Sequence, residues 1–186
     1  MKILMVTAEA VPFAKTGGLA DAVSALSIEL EKLGHDVRVI MPRYYRISRD
    51  KLRLIDGPMC VHCGNDEVWT AVYTTNLTGG KNIPVYFIDH EQSFGRDGIY
   101  GTHQDPDFGD NPRRFSILGH SVFQLCRKLG WYPDIIHAHD WSAALAPVLL
   151  KFNERWKAEF SKTASVFTIH NLGYQGNYSK QNYPLF

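Results

Sequence analysis

Residues 2–40 read KILMVTAEAVPFAKTGGLADAVSALSIELEKLGHDVRVI, and this stretch decides the fold. Lys2 to Thr7 is a short apolar run of the kind that forms a strand buried on both faces, bounded by a loop from Pro12 to Gly18. From Leu19 the hydrophobic period becomes helical, with Leu19, Val23, Leu26, Leu30 and Leu33 along one face and Gly34 placed to close the helix C-terminus. Val37, Val39 and Ile40 then read as a second strand. Strand, glycine loop, helix and strand in this order make a βαβ unit, whose crossover is right-handed almost without exception.

Outward from this unit the alternation continues. Val68 to Leu77 and Ile83 to Ile88 are β-rich runs on either side of Thr78-Gly79-Gly80-Lys81, which suits a hairpin turn. After a polar loop from His90 to Gly109, Asn111-Pro112 supplies an N-cap and a proline at the first helical position. Phe115, Leu118, Val122, Leu125 and Leu129 mark a long helix ending at Gly130. Ile135-Ile136-His137 reads as a strand, Ser142 to about Trp156 as a helix and Ser165 to Ile169 as a further strand. No internal repeat or linker interrupts the order. The expectation is one α/β domain over residues 1–186, with a doubly wound, mostly parallel Rossmann-like sheet.

With 186 residues, 45% of them apolar and 21% charged, the chain has the composition of a globular domain with a real core. A formal net charge of +1, with Lys and Arg scattered, leaves no basic stripe for nucleic acid. The apolar start is broken by Thr7 and Glu9, too early for a signal-peptide core or a membrane span, so a cytoplasmic protein is expected. Three cysteines cannot all pair. Cys60-Val61-His62-Cys63 offers two thiolates and Cys126 lies far off in a helical pattern, so the cysteines read as incidental rather than as a closed zinc site.

In an open α/β sheet, ligands bind beyond the carboxyl ends of the strands. That rule selects Lys15-Thr16-Gly17-Gly18, Asp89-His90, His137-Ala138-His139-Asp140 and His170-Asn171, all delivered to one edge. The two glycines let backbone N–H groups approach a ligand, and the helix starting there turns its positive end toward an anion. The segment is neither a P-loop nor a G-x-G-x-x-G fingerprint. It reads either as a phosphate or sugar site or as a tight turn with a solvated lysine. His137 and His139 alternate along a strand and share a side of the sheet. They form a metal cluster only if further ligands join them, and no H-x-H-x-D-H or H-E-x-x-H is present. Asp140 stands equally as a helix N-cap, His170 and Asn171 as turn residues, and Trp131 and Trp141 as packing residues.

Lys15-Thr16-Gly17-Gly18-Leu19-Ala20-Asp21 resembles the K-x-G-G-L signature of bacterial glycogen synthases and plant starch synthases, with Ala8-Glu9 in its usual context. Three blocks follow in the family's order: Asp110-Asn111 with Arg114-Phe115, then Pro133 through Trp141, then Val166 through Leu172 running into Tyr174-Gln175-Gly176. The resemblance covers the whole chain. It implies the N-terminal domain of a glycosyltransferase-B architecture, truncated here, whose C-terminal nucleotide-binding domain would complete the cleft. It implies retaining transfer of glucose from ADP-glucose to the 4-hydroxyl of an α-1,4-glucan, with no metal and no redox cofactor, and no nucleic-acid or membrane partner. Carried over by position, Lys15 would meet the donor's phosphate or glucose, Gly17 and Gly18 would give close backbone approach, and Asp140 would orient the transferred glucose or the incoming hydroxyl. His170 would sit under the sugar with Asn171 in support, and Tyr100 would belong to the donor pocket. Ser142 departs from the histidine or glutamine that many relatives carry after Asp-Trp.

Overall fold

The computed structural model describes residues 1–154 and 157–185. Strand β1 (Lys2–Val6) leads through a loop to helix α1 (Gly18–Lys32) and strand β2 (Asp36–Pro42). Two long antiparallel strands, β3 (Arg53–Cys63) and β4 (Asp66–Asn76), precede β5 (Pro84–Asp89). A one-turn helix α2 (Glu91–Phe94) and an irregular loop lead to α3 (Asn111–Leu129), then β6 (Ile135–His139), α4 (Leu145–Leu149) and β7 (Ala164–Thr168). The seven strands form one sheet in the order β3-β4-β5-β2-β1-β6-β7, antiparallel only where β4 meets β3 and β5. The β1-to-β2 and β5-to-β6 crossovers run in opposite directions along the sheet. Right-handedness therefore sets α1 on one face and α3, with α4 packed against it, on the other. The expected α/β, mostly parallel sheet is present.

Strand β1 is central, and Ile3, Leu4, Met5 and Val6 are all buried. Val6 pairs with Ile40 on one side and Ala138 on the other, so the tips of β1, β2 and β6 finish level. Helix α1 buries the expected Leu19 and Val23 and packs Leu30 against the core, but Leu26 and Leu33 fall outside its inner face. Leu19, Ala20, Val23, Ser24 and Ser27 are buried, while Leu33 is 73% exposed and Leu26 is 37% exposed. Small side chains let the helix lie close to the loop before it, and Ser24 Oγ both accepts from Val11 N–H (3.0 Å) and donates to the Val11 carbonyl (3.2 Å). Gly34 (φ +87°) closes the helix as expected, donating to Glu31 O at 2.8 Å.

Strand β3 is absent from the expected elements. Its inner positions Met59, Val61 and Cys63 are buried, but a register shift between Ile55 and Met59, around Gly57-Pro58, breaks the alternation. The hairpin at Thr78–Lys81 is present, and the Glu31 carboxylate of α1 accepts from Lys81 N–H (2.8 Å) and Asn82 N–H (2.5 Å). Helix α3 starts one residue earlier than its proline suggests, with Asp110 at the cap position. Asn111 turns inward, its amide donating to Tyr100 O and Asp107 Oδ1, both at 2.7 Å.

The segment expected as one helix from Ser142 to Trp156 divides into a tight turn (Trp141–Ala143), α4, and a wide turn over Leu150–Glu154. Pro147 has no N–H to offer Ala143 O, so regular helix cannot extend back toward Ser142. Arg155 and Trp156 lie outside the described residues. Strand β7 pairs with β6 as expected, yet Val166 and Phe167 are each 42% exposed on this edge. No helix among the described residues is long and apolar enough to cross a membrane.

Candidate functional site

A cleft of about 1070 Å³ opens at the carboxyl end of the sheet, lined by residues that follow β1, β6 and β7. Gly17, Gly18, Tyr100, Asp140, His170 and Asn171 all line it. Among the expected site residues Lys15 stands apart: it is not in the cleft wall, and its ammonium, about half exposed, pairs with Asp21 Oδ2 at 2.7 Å on the surface of α1. Asp89 and His90, at the tip of β5, are also outside the cleft. Asp89 is buried between Arg43 (2.8 Å) and Arg49 (2.7 Å), and His90 Nδ1 is 2.8 Å from Ser93 Oγ.

The glycine loop is held from beneath by Glu9, which is 2% exposed. Its carboxylate accepts from the backbone N–H of Thr16 and, at 3.4 Å, of Gly17. It also accepts from Thr16 Oγ1 (2.8 Å) and from Tyr100 Oη (2.9 Å). Sequence reasoning noted Glu9 only as context. Its burial beside a Gly-Gly loop carries no local signal, because two of its four donors are backbone groups and one, Tyr100 Oη, comes from a distant segment. Burial, and next the adjacent Glu9, pushes the Tyr100 phenol well above its usual range, so it stays a neutral donor. Above the loop the space is open: a side chain at Gly17 or Gly18 would meet nothing within 4 Å, and α1 begins there without a side-chain cap. Neither glycine is demanded by packing within the protein.

Arg114 fixes the loop that carries Tyr100. Fully buried, it donates to the carbonyls of Ser93 (2.6 Å) and Ile99 (2.7 Å) and to Asn111 Oδ1 (2.5 Å). Tyr100 and Phe115 pack against Trp141 with centroids 5.6 and 4.9 Å away, so Trp141 is the packing residue expected and also forms part of the cleft wall. Trp131 is buried, with its indole N–H on Asp36 Oδ2 (2.8 Å).

Asp140 has φ +58° and ψ 177°, a conformation that only glycine adopts freely. Three bonds hold it there: its N–H donates to Thr168 O (2.9 Å), its carbonyl accepts from Ala143 N–H (3.0 Å), and its carboxylate Oδ1 accepts from His170 N–H (2.7 Å). Of the two sequence readings, the side-chain N-cap is not realised; the carboxylate instead ties the tip of β6 to the tip of β7. Asn171 Oδ1 accepts from Gly173 N–H (2.8 Å), which turns the chain back along the cleft.

Behind this rim, the His137 and His139 rings stack with centroids 4.1 Å apart, and the His139 and His170 rings meet edge to edge with centroids 5.3 Å apart. His137 Nε2 is 2.7 Å from Thr168 Oγ1, and His139 Nδ1 is 3.0 Å from His170 Nε2. Burial, reinforced by His137 and then His170, holds the His139 pKa down to about 3. His139 is therefore neutral near pH 7. The cysteine motif sits at the far edge of the sheet: Cys63 is buried, while Cys60 and His62 share the opposite face with Glu67, their donor atoms within 4.8 Å of one another.

Residues 2–186 match a family model described as the starch synthase catalytic domain. The chain is 62% identical over 184 residues to a glycogen synthase of Treponema denticola, covering 99% of this chain and 37% of that protein. A glycogen synthase of Geotalea uraniireducens is 44% identical over 181 residues, covering 97% and 37% respectively. The solved catalytic domain of Starch Synthase IV from Arabidopsis thaliana, bound to ADP and acarbose, superposes with a TM-score of 0.85 at 30% identity, over 98% of this chain and 36% of that one. The chain thus spans little more than a third of the length of the relatives it matches.

Proposed function

The chain belongs to the starch synthase catalytic domain family, and from that premise we propose that it forms one wall of a retaining glucosyltransferase site that moves glucose from ADP-glucose to the non-reducing 4-hydroxyl of an α-1,4-glucan. The observation that carries this reading is the convergence of Gly17–Gly18, Asp140 and His170 on one cleft, with open space above glycines that packing does not require. A diphosphate over the loop would meet backbone N–H groups and the positive end of α1, and Glu9 holds that loop in shape. In the proposed reaction the bond from the anomeric carbon to the diphosphate oxygen breaks and a bond to the acceptor oxygen forms on the same face. The acceptor's proton passes to the departing diphosphate. The chain's own groups orient the sugar: Asp140 accepts hydrogen bonds, His170 offers its ring, and Asp140 also fixes the His170 backbone beneath it. This chemistry calls on no metal and no redox cofactor.

The same reading makes residues 1–186 the N-terminal domain of a glycosyltransferase-B pair, with the partner domain supplying the opposite wall. It is supported by the share of the relatives' length that the chain spans. Cytoplasmic placement is supported by three unpaired cysteines. Lys15 enters the reading as a rim cation that reaches the donor only by leaving Asp21. The test is an amide chemical-shift titration of the protein with ADP-glucose. Shifts confined to Thr16–Leu19, Asp140 and His170–Gly173 are expected, without glucan extension by this chain alone. The absence of shifts there at millimolar donor refutes the reading, as does turnover by the chain unaided.

A further inference from the structure

We propose that His139 is a positioning residue that fixes the tautomer of His170, holding its proton on Nδ1 so that the ring presents an N–H donor to the cleft. Three observations carry this. His139 is completely buried, its Nδ1 lies 3.0 Å from His170 Nε2, and its own Nε2 has no hydrogen-bond partner among the described residues.

A neutral imidazole has one N–H and one lone pair, and the bond made by one nitrogen decides the state of the other. Only two arrangements satisfy the 3.0 Å contact while both rings stay neutral. In the first, His139 carries its proton on Nε2 and accepts from His170 Nε2–H. That leaves a buried N–H with nothing to bond, the rarest kind of orphan in folded proteins. In the second, His139 carries its proton on Nδ1 and donates it to His170 Nε2, and the orphan is a lone pair. A lone pair without a partner is the lesser loss. Burial keeps His139 from taking a second proton, which removes the doubly protonated form near neutral pH. The second arrangement therefore holds, and it leaves His170 with its proton on Nδ1.

The consequence is a choice of ligand chemistry. His170 is exposed and lines the cleft, while its backbone N–H is already occupied by Asp140 Oδ1 at 2.7 Å. With Nε2 engaged behind it, the ring meets a ligand only through Nδ1–H, so the facing group must be an acceptor such as a hydroxyl or ring oxygen. Asp140 beside it is acceptor-only when ionised. The pair thus presents one donor and one acceptor to a substrate bearing hydroxyl groups, whereas a histidine free to exchange tautomers presents either. That this substrate is a glucosyl unit rests on the function proposed above; the tautomer does not.

The experiment is ¹⁵N NMR of the histidine side chains in the uniformly labelled protein near pH 7.5 without ligand, with His170→Gln used to assign the His170 signals. The expected result is a protonated, pyrrole-type Nδ1 and a pyridine-type Nε2 at His170, with a ¹⁵N–¹⁵N coupling across the bond from His139 Nδ1. An unrestrained histidine in water favours the opposite form, with the proton on Nε2, so the signature differs from the default. His139→Phe keeps an aromatic ring against His137 and deletes the donor; His170 is expected to shift toward its Nε2–H form in that variant while the rest of the spectrum holds. A wild-type His170 protonated on Nε2 overturns the proposal, and so does a His139→Phe protein in which the Nδ1–H form persists unchanged. Should the phenylalanine variant not fold, the coupling in the wild-type protein decides: its presence with His139 as donor supports the assignment, and its absence rejects it. Because no donor sugar enters the measurement, the result is independent of the ADP-glucose titration.

Discussion

Replacing Asp140 by glycine and, separately, by alanine isolates the backbone strain at the tip of β6. Both variants lose the carboxylate and its 2.7 Å bond to His170 N–H, so that loss cancels when one is compared with the other. What remains is the conformation at φ +58° and ψ 177°, which costs a residue with a Cβ about 1–3 kcal/mol and glycine almost nothing. Against this, glycine gives the unfolded chain more freedom, worth about 0.5–1 kcal/mol. The difference leaves Asp140→Gly more stable than Asp140→Ala by about 1 kcal/mol, or about 2–4 °C in Tm at this chain length. Urea and thermal unfolding of the two proteins read it directly. An alanine variant more stable than the glycine one refutes the strain argument, because without strain the only term left favours alanine. In a chain joined to the proposed partner domain, both substitutions are expected to lower the proposed glucosyl transfer by orders of magnitude while the fold survives.

Gly18→Ala is expected to leave stability unchanged or to raise it by up to about 1 kcal/mol, since the new methyl group meets no protein atom at the start of a helix. Gly18 lines the cleft, so on the proposed function a side chain there should lower affinity for ADP-glucose about tenfold, roughly 1.4 kcal/mol; unchanged affinity in a calorimetric titration returns Gly18 to a purely turn-forming role. Acid should weaken the fold through His139. Its pKa is depressed from 6.5 to about 3 on folding, so between those values the unfolded chain binds the extra proton and the folded one does not. The stability this group lends is complete above pH 6.5 and is lost as pH falls toward 3, at about 1.4 kcal/mol per pH unit. His90, His120 and His137 shift in the same direction, each mainly through burial. Denaturant midpoints should therefore drop between about pH 7 and pH 5, and His139→Phe should flatten the decline; a midpoint that stays level or rises in the wild-type protein contradicts this account.

The order of strands and helices was legible because the patterns that reveal it are local: an unbroken apolar run at Ile3–Val6, Gly34 after a helical stretch, a proline at the start of α3. Burial on α1 was not, since leucines 26 and 33 satisfy the helical period yet point to solvent, and the intimate face is made by Ala20, Ser24 and Ser27. Strand β3 escaped because the register shift at Gly57-Pro58 disrupts its alternation. At the candidate site, the rule that ligands gather at strand tips names Gly17, Gly18, Asp140, His170 and Asn171, which the cleft unites, and also Lys15, Asp89 and His90, which lie outside it; Tyr100 comes only with the family resemblance. Glu9, Arg114 and His139 act through partners distant in sequence, at Tyr100, Ser93 and His170. No spacing within the chain announces such pairings.

Strand β7 carries a consequence for how this protein behaves in a tube. Among the described residues no strand pairs with its outer edge, and Val166, Phe167 and Ile169 stand 42–55% open to water beside it. Such a margin is a template on which another extended segment can be added, whether from a second molecule or from further polypeptide. Self-association should therefore grow with protein concentration, and a lysine at Val166 is the natural safeguard for anyone preparing samples at the millimolar strengths that spectroscopy needs.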